Sequence, residues 1–183
     1  MQYIIIDLEA TCWENDRNKT SEIIEIGAVK LNDKLEIIDS FSKFIRPSLN
    51  PILSEFCTNL TSITQNDVDN AYFFDQVMTE FENWILSQGN DILFCSWGFY
   101  DKKQIIKECK IKNYSGKILK RLDNHISLKH KFAELKKIEP CGMGKALNIL
   151  GIPLEGRHHR GIDDAKNITK IFIAIFSELN LQF

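Results

Sequence analysis

Three short clusters hold the residues whose types and spacing could do chemistry. The first is Asp7-Leu8-Glu9. On an extended backbone side chains two positions apart point to one side, so both carboxylates can face one ligand. The second is Asp101, which follows the apolar run 91–97 and sits at the start of a helical stretch. The third is the segment 156–166, Gly-Arg-His-His-Arg-Gly-Ile-Asp-Asp-Ala-Lys, with two histidines in a loop and two aspartates entering the last long helix. His158 and Asp163 have the same five-residue spacing as His159 and Asp164, so the residues alone leave the register open. Singly, each cluster has a plain structural reading: an acidic strand end, a helix cap or dipole partner, a histidine packed for structure. Taken together, four converging carboxylates with no cysteine or histidine among them would form an all-oxygen cage suited to Mg²⁺ or Mn²⁺ rather than zinc. Two such ions roughly 4 Å apart can clamp the attacking and leaving oxygens of an in-line phosphoryl displacement. A neutral imidazole can take a proton from the attacking water, because histidine titrates near working pH. The expected chemistry is phosphodiester hydrolysis.

The elements that must position these groups are legible from periodicity. Residues 3–7 and 22–31 are apolar and rich in β-branched side chains, and 35–45 alternates after a turn at Asn32-Asp33, which predicts a three-strand antiparallel meander closed by Pro47 and Pro51. Helical spacing begins at Ile52 through Leu53, Phe56, Cys57 and Leu60. Thr64 is a candidate cap for a turn running to Ala71, and 74–87 repeats the helical period. A strand at 91–97 and a helix at 102–110 then suggest a parallel crossover, with a short strand near 123–126. Helices follow at 127–137, at 143–150 before the Gly151-Ile152-Pro153 stop, and at 162–179. An α/β domain with a mixed sheet is the predicted class.

With 183 residues, 44% of them apolar and 26% charged, the chain has the composition of one soluble globular domain, 1–183, and not of a disordered or collagenous protein. The start carries no basic stretch ahead of its short apolar run, and no segment reaches the length of a membrane span, so neither export nor a bilayer is expected. Five cysteines with no C-x-x-C pair suggest free thiols in the cytoplasm. The net charge of −2 hides an asymmetry: residues 1–101 carry 6 basic and 17 acidic side chains, and residues 102–137 carry 12 basic and 3 acidic ones. Such a segment is either a solvated lysine-rich face or a track for a polyanion. Gly142-Met143-Gly144-Lys145-Ala146 lacks both the first glycine and the final Ser or Thr of a phosphate loop, and His125 and His130 lack the H-E-x-x-H arrangement.

Three ordered segments resemble a known family: IIIDLEATCW at 4–13 with EIIEIGAV at 22–29, CSWGFYDKKQ at 95–104, and LGIPLEGRHHRGIDDAKNI at 150–168, joined by PILSEFCTNLTSITQ at 51–65. The chain resembles the DEDDh exonucleases of the ribonuclease H-like superfamily, in the branch of the three-prime histone-mRNA exonuclease and the bacterial sporulation-inhibitor-like proteins. The resemblance implies a ribonuclease H-like exonuclease fold. Asp7, Glu9, Asp101 and Asp164 would be the acids for two Mg²⁺ or Mn²⁺ ions, His159 the general base, and Asp163 a neighbour of the site. It also implies substrate contacts at Leu8, Thr11, Phe56, Tyr100 and His159, with Phe56 and Tyr100 on either face of the terminal base. Trp13 either borders the substrate or packs on the sheet. The activity implied is 3′ to 5′ removal of nucleoside 5′-monophosphates from single-stranded ends, with RNA ranked ahead of DNA. The alternatives are a regulatory or binding module on the same fold, and a DNA-directed proofreading exonuclease. Protein partners and oligomeric state are not readable from the sequence.

Overall fold

β1 (Gln2–Ala10), β2 (Ile23–Leu31) and β3 (Ile37–Phe44) pair antiparallel, and β4 (Ile92–Ser96) and β5 (His125–Ser127) join them in parallel. The computed structural model describes residues 1–16, 18–87 and 91–179 and gives a sheet order of β3-β2-β1-β4-β5. β1 reads as an almost unbroken apolar run because it is central and covered on both faces. β3 is an edge: Phe41 is its one buried residue, and charged side chains discourage further pairing along it. This strand begins two residues later than the pattern suggests, because the Asn32 side chain accepts the Lys34 and Glu36 backbone N–H groups and holds a turn in which Leu35 has φ 64°.

Strand alternation sorts the core into two halves. Ile4, Ile6 and Leu8 pack against α3 (Phe74–Leu86), α4 (Tyr100–Ile111) and α5 (Ile118–Arg121), while Tyr3 and Ile5 pack against α6 (Leu128–Lys136), α7 (Met143–Leu150) and α8 (Gly161–Ile175). Two short helices lie at the side of the sheet. In α1 (Glu55–Thr61) the Ser54 hydroxyl caps the first turn, and in α2 (Gln65–Asp69) Thr64 and Asp67 form the capping box that Thr64 announced. The last long helix stops at Ile175 and continues as a 3₁₀ turn over Phe176–Glu178, and α5 is too short, within a lysine-rich stretch, to leave a periodic signal. Among the described residues no helix is long and apolar enough to cross a membrane.

One contact fixes the depth at which α8 meets the sheet. A Cβ on Gly27 of β2 would lie 2.0 Å from the Gly161 carbonyl carbon, and one on Gly161 would lie 3.1 Å from the Asp7 carbonyl oxygen. Only two glycines let the first turn of α8 rest directly on β1 and β2. Gly27→Ala must therefore push that turn off the sheet. We expect it to cost about 1–3 kcal/mol in urea denaturation, the usual penalty of overpacking, and a variant as stable as the parent would contradict this contact.

Candidate active site

The alternation that buries Tyr3 and Ile5 under α8 continues to Asp7 and Glu9, which leave β1 on that same side. On α8 the buried face runs Asp164, Ala165, Ile168, Ile171, Phe172 and Ile175, so an acid takes the first position of an otherwise apolar stripe. The two elements meet there. Asp7, Glu9 and Asp164 can each offer an oxygen within 4.8 Å of the others. β4 runs parallel to β1 with Ser96 opposite Ile6, so its carboxyl end delivers the chain beside Asp7, and α4 begins three residues after Trp97. Asp101, in the first turn of α4, accepts the Leu8 backbone N–H at 3.1 Å and lines the same cleft of about 370 Å³ as the other three acids.

Electrostatics marks the cluster as a place that lacks positive charge. Burial and then the charges of Asp101, Glu9 and Asp164 hold the Asp7 carboxyl well above the ordinary range. Burial, followed by Asp164 and Glu25, pushes Glu9 up to about 8. Burial takes Asp101 to about 6 despite hydrogen bonds from Ser96 and the Leu8 N–H, which favour its charged form. Among the described residues none of Asp7, Glu9 and Asp101 has a lysine or arginine partner. Buried carboxylates that cannot all ionise in water-poor surroundings can do so around a hard cation, and an oxygen-only donor set is what a divalent ion of that kind takes.

The loop before α8 brings both histidines to Asp164. Asp164 accepts the His159 backbone N–H at 3.0 Å and lies 2.9 Å from His158 Nδ1, while the Asp163 carboxylate turns away to accept the Arg157 N–H at 2.9 Å. Asp163 thus holds the turn at Gly156, where φ is 73° and a Cβ would meet its carboxylate at 2.4 Å. His159 has φ 63°, a left-handed conformation uncommon for a non-glycine residue and one that its bond to Asp164 helps to maintain. The two imidazoles stack at 4.0 Å between centroids, and both line the cleft. Burial, then His158, holds the His159 ring below its usual pKa, which keeps it neutral and able to accept a proton near pH 7.

The other residues expected to meet substrate divide. Leu8 and the half-exposed ring of Tyr100 line the cleft; Thr11 and Phe56 do not. Thr11 is buried, its hydroxyl accepting the Glu22 N–H at 2.9 Å. Phe56 is partly exposed on α1, which is tied to the end of β1 by Cys57 Sγ on the Ala10 carbonyl at 3.7 Å. Trp13 lies outside the cleft lining, with Lys19 Nζ 5.1 Å from its ring. Several supporting residues had no assignment from sequence. Glu25, fully buried on β2, accepts the Gly161 N–H at 2.9 Å and pairs with Arg160 at 3.2 Å, anchoring the loop that carries both histidines. Glu22 accepts the N–H groups of Ser48, Leu49 and Asn50, and Glu108 on α4 accepts that of Ile23 at 2.7 Å. The signal for all of these was present: an acid inside a continuous apolar strand, or on the inner face of a helix, must be buried with partners.

A mixed five-stranded sheet with helices on both faces and acids gathered at the carboxyl ends of β1 and β4 is the ribonuclease H-like exonuclease architecture. The chain belongs to the RNase_T exonuclease family, whose profile matches residues 4–172. It is 35% identical to mouse 3'-5' exoribonuclease 1 over 95% of its length and 32% identical to ERI1 exoribonuclease 2 of Xenopus laevis over 92%. It spans 52% of the mouse protein and 27% of the frog protein. Among solved structures, the nuclease domain of 3'hExo, a DEDDh family member bound to rAMP, superposes with a TM-score of 0.89 at 32% identity, covering 97% of this chain and 92% of that one. Nucleases of this kind use divalent metal ions, and the donor set here suits them.

The raised carboxyl groups make a pH prediction for protein held in EDTA. Glu9 is protonated more readily in the folded chain than in the unfolded one, so the stability linked to it is fully present below about 4.5 and is lost as the pH rises through about 8. Glu9→Gln should melt at the parent's temperature at pH 4 and above it at pH 9. A variant that melts lower at pH 9 would contradict the cluster's electrostatics.

Proposed function

We propose that residues 1–183 form one exonuclease domain that removes nucleoside 5′-monophosphates from single-stranded 3′ ends, with RNA preferred over DNA. The observation that carries this reading is the convergence of Asp7, Glu9 and Asp164 within 4.8 Å, with no lysine or arginine paired to any of them among the described residues, beside two loop histidines of which His158 lies against Asp164. Similarity to exoribonucleases from mouse and frog supports RNA as the substrate class. The five free cysteines suit a reducing, cytoplasmic setting.

Asp7, Glu9, Asp101 and Asp164 would hold two Mg²⁺ or Mn²⁺ ions. Bound ions supply the positive charge that polarises the scissile phosphodiester and offsets charge on the leaving 3′-oxygen. The protein's own residues do the rest. His159, neutral and placed on a turn at the mouth of the cleft, accepts the proton of the attacking water. Asp164 fixes that turn through the His159 N–H, so the ring's position is tied to α8. Leu8 and Tyr100 give the terminal nucleoside an apolar and aromatic wall, a sequence-tolerant way to hold a base. Phe56, partly exposed on α1, would supply the second face for the base that the resemblance implies.

The test uses matched 5′-labelled single-stranded RNA and DNA with Mg²⁺, Mn²⁺ or EDTA. The expected result is a ladder shortening from the 3′ end, faster on RNA and absent in EDTA. Asp7→Ala should retain the fold and show no turnover, and His159→Ala should lose about 10²–10⁴-fold in kcat, the usual worth of a general base. Full activity of Asp7→Ala would sink the assignment. A domain that acts as a binding module would instead keep its biological effect in that variant.

A further inference from the structure

Three lysines of the segment 102–137 are paired with acids. Lys112 turns inward to Glu22 at 2.7 Å, Lys131 pairs with Glu134 at 3.1 Å, and Lys136 pairs with Glu178 at 3.0 Å. Lys129 is different. It is the one lysine or arginine among the described residues lining the cleft that holds Asp7, Glu9, Asp101 and Asp164. Topology puts it there: β5 runs parallel to β4 and ends at the same edge of the site, α6 follows directly, and the Lys129 backbone N–H binds the Trp97 carbonyl at 2.8 Å, fastening the first turn of α6 to the loop after β4.

The Lys129 ammonium makes no hydrogen bond or ion pair with any described residue, the four carboxylates of the cleft included. A lone cation in an acid-rich cleft would be expected to collapse onto the nearest carboxylate if it could reach one. Unpaired among the described residues, Lys129 is available to an anion that enters the cleft. A nucleic-acid strand supplies such an anion at each linkage, and lysine recognises phosphate as a point charge without demanding a particular base. Resting on the exonuclease reading above, we infer that Lys129 is a substrate-binding residue that holds a non-bridging oxygen of the phosphate next to the scissile one, fixing the strand's register in the cleft. The scissile phosphate itself belongs beside the four acids.

The test compares two substrates that differ in the phosphate at issue: a single-stranded RNA oligonucleotide, and thymidine 5′-(p-nitrophenyl phosphate), which carries only a scissile phosphodiester. Lys129→Ala should lower kcat/KM on RNA by about ten-fold or more, through KM, as expected for one charge-assisted hydrogen bond. It should also reduce the slope of log(kcat/KM) against log salt by about 0.7, the worth of one phosphate contact on a single strand. Lys129→Arg should restore most of the loss, Lys107→Ala on the exposed face of α4 should behave as the parent, and the small substrate should be cleaved equally by all four proteins. Lys129→Gln, which keeps the aliphatic stem, serves if the alanine variant is unstable. RNA kinetics and salt slope unchanged in Lys129→Ala, or an equal loss on both substrates, would overturn the assignment. Parent protein inactive on both substrates would instead overturn the exonuclease reading, and the assignment with it.

Discussion

Asp7, Glu9 and Asp164 are held with oxygens within 4.8 Å of one another and largely out of water, an arrangement that like charges resist. The rest of the structure can be read as the framework that opposes this repulsion. Asp7 and Glu9 stand at the end of the central strand, each paired across to β2, so neither can retreat without breaking that pairing. Asp164 is held from the other direction, by a helix whose apolar stripe is buried from Ala165 to Ile175. The helix start adds a favourable field for that carboxylate.

The contact between Gly27 and Gly161 sets the separation of those two elements, and Glu25 sets their orientation. A buried glutamate that takes both the Gly161 N–H and the Arg160 guanidinium ties the loop that carries the histidines to β2, beside the strand that carries Asp7 and Glu9. The Arg160 guanidinium sits on Glu25 and packs over Phe44, away from the three clustered acids. Their charge is therefore left for ligands to satisfy. A site built to receive cations must leave its acids unpaired by its own lysines, and Lys129, which lines the same cleft without pairing to them, fits that rule.

Much of this was legible in the sequence because it follows from local periodicity. The meander, the parallel crossover and the terminal helix each leave a period of 2 or 3.6, and Asp7 and Glu9 share a side because strands alternate. Asp164 was distinguished from Asp163 only by resemblance to a family, since their spacing to the two histidines is identical; in three dimensions the helix face separates them at once. What stayed hidden depends on residues distant in the chain. Nothing near Gly27 says that another backbone will lie against it, and nothing near Glu25 names Gly161 and Arg160 as its partners. The charge run at 102–137 had two readings, and the answer is mixed: three of its lysines pair with acids and one lines the cleft. The Thr11 hydroxyl accepts the Glu22 N–H, a link between the end of β1 and the residue before β2 that the sequence did not announce.

The acid cluster is suited to divalent metal ions. Calorimetric titration of Mn²⁺ into EDTA-stripped, desalted protein at pH 7, repeated in two buffers of different ionisation enthalpy, tests it without reference to any substrate. Since Glu9 titrates at about 8 and Asp7 is raised as well, the metal-free site carries protons that a cation must displace. The account predicts saturable binding of two ions with net proton release, both diminished in Asp7→Asn. Absence of saturable binding in the parent, or binding unaffected by Asp7→Asn, would contradict it.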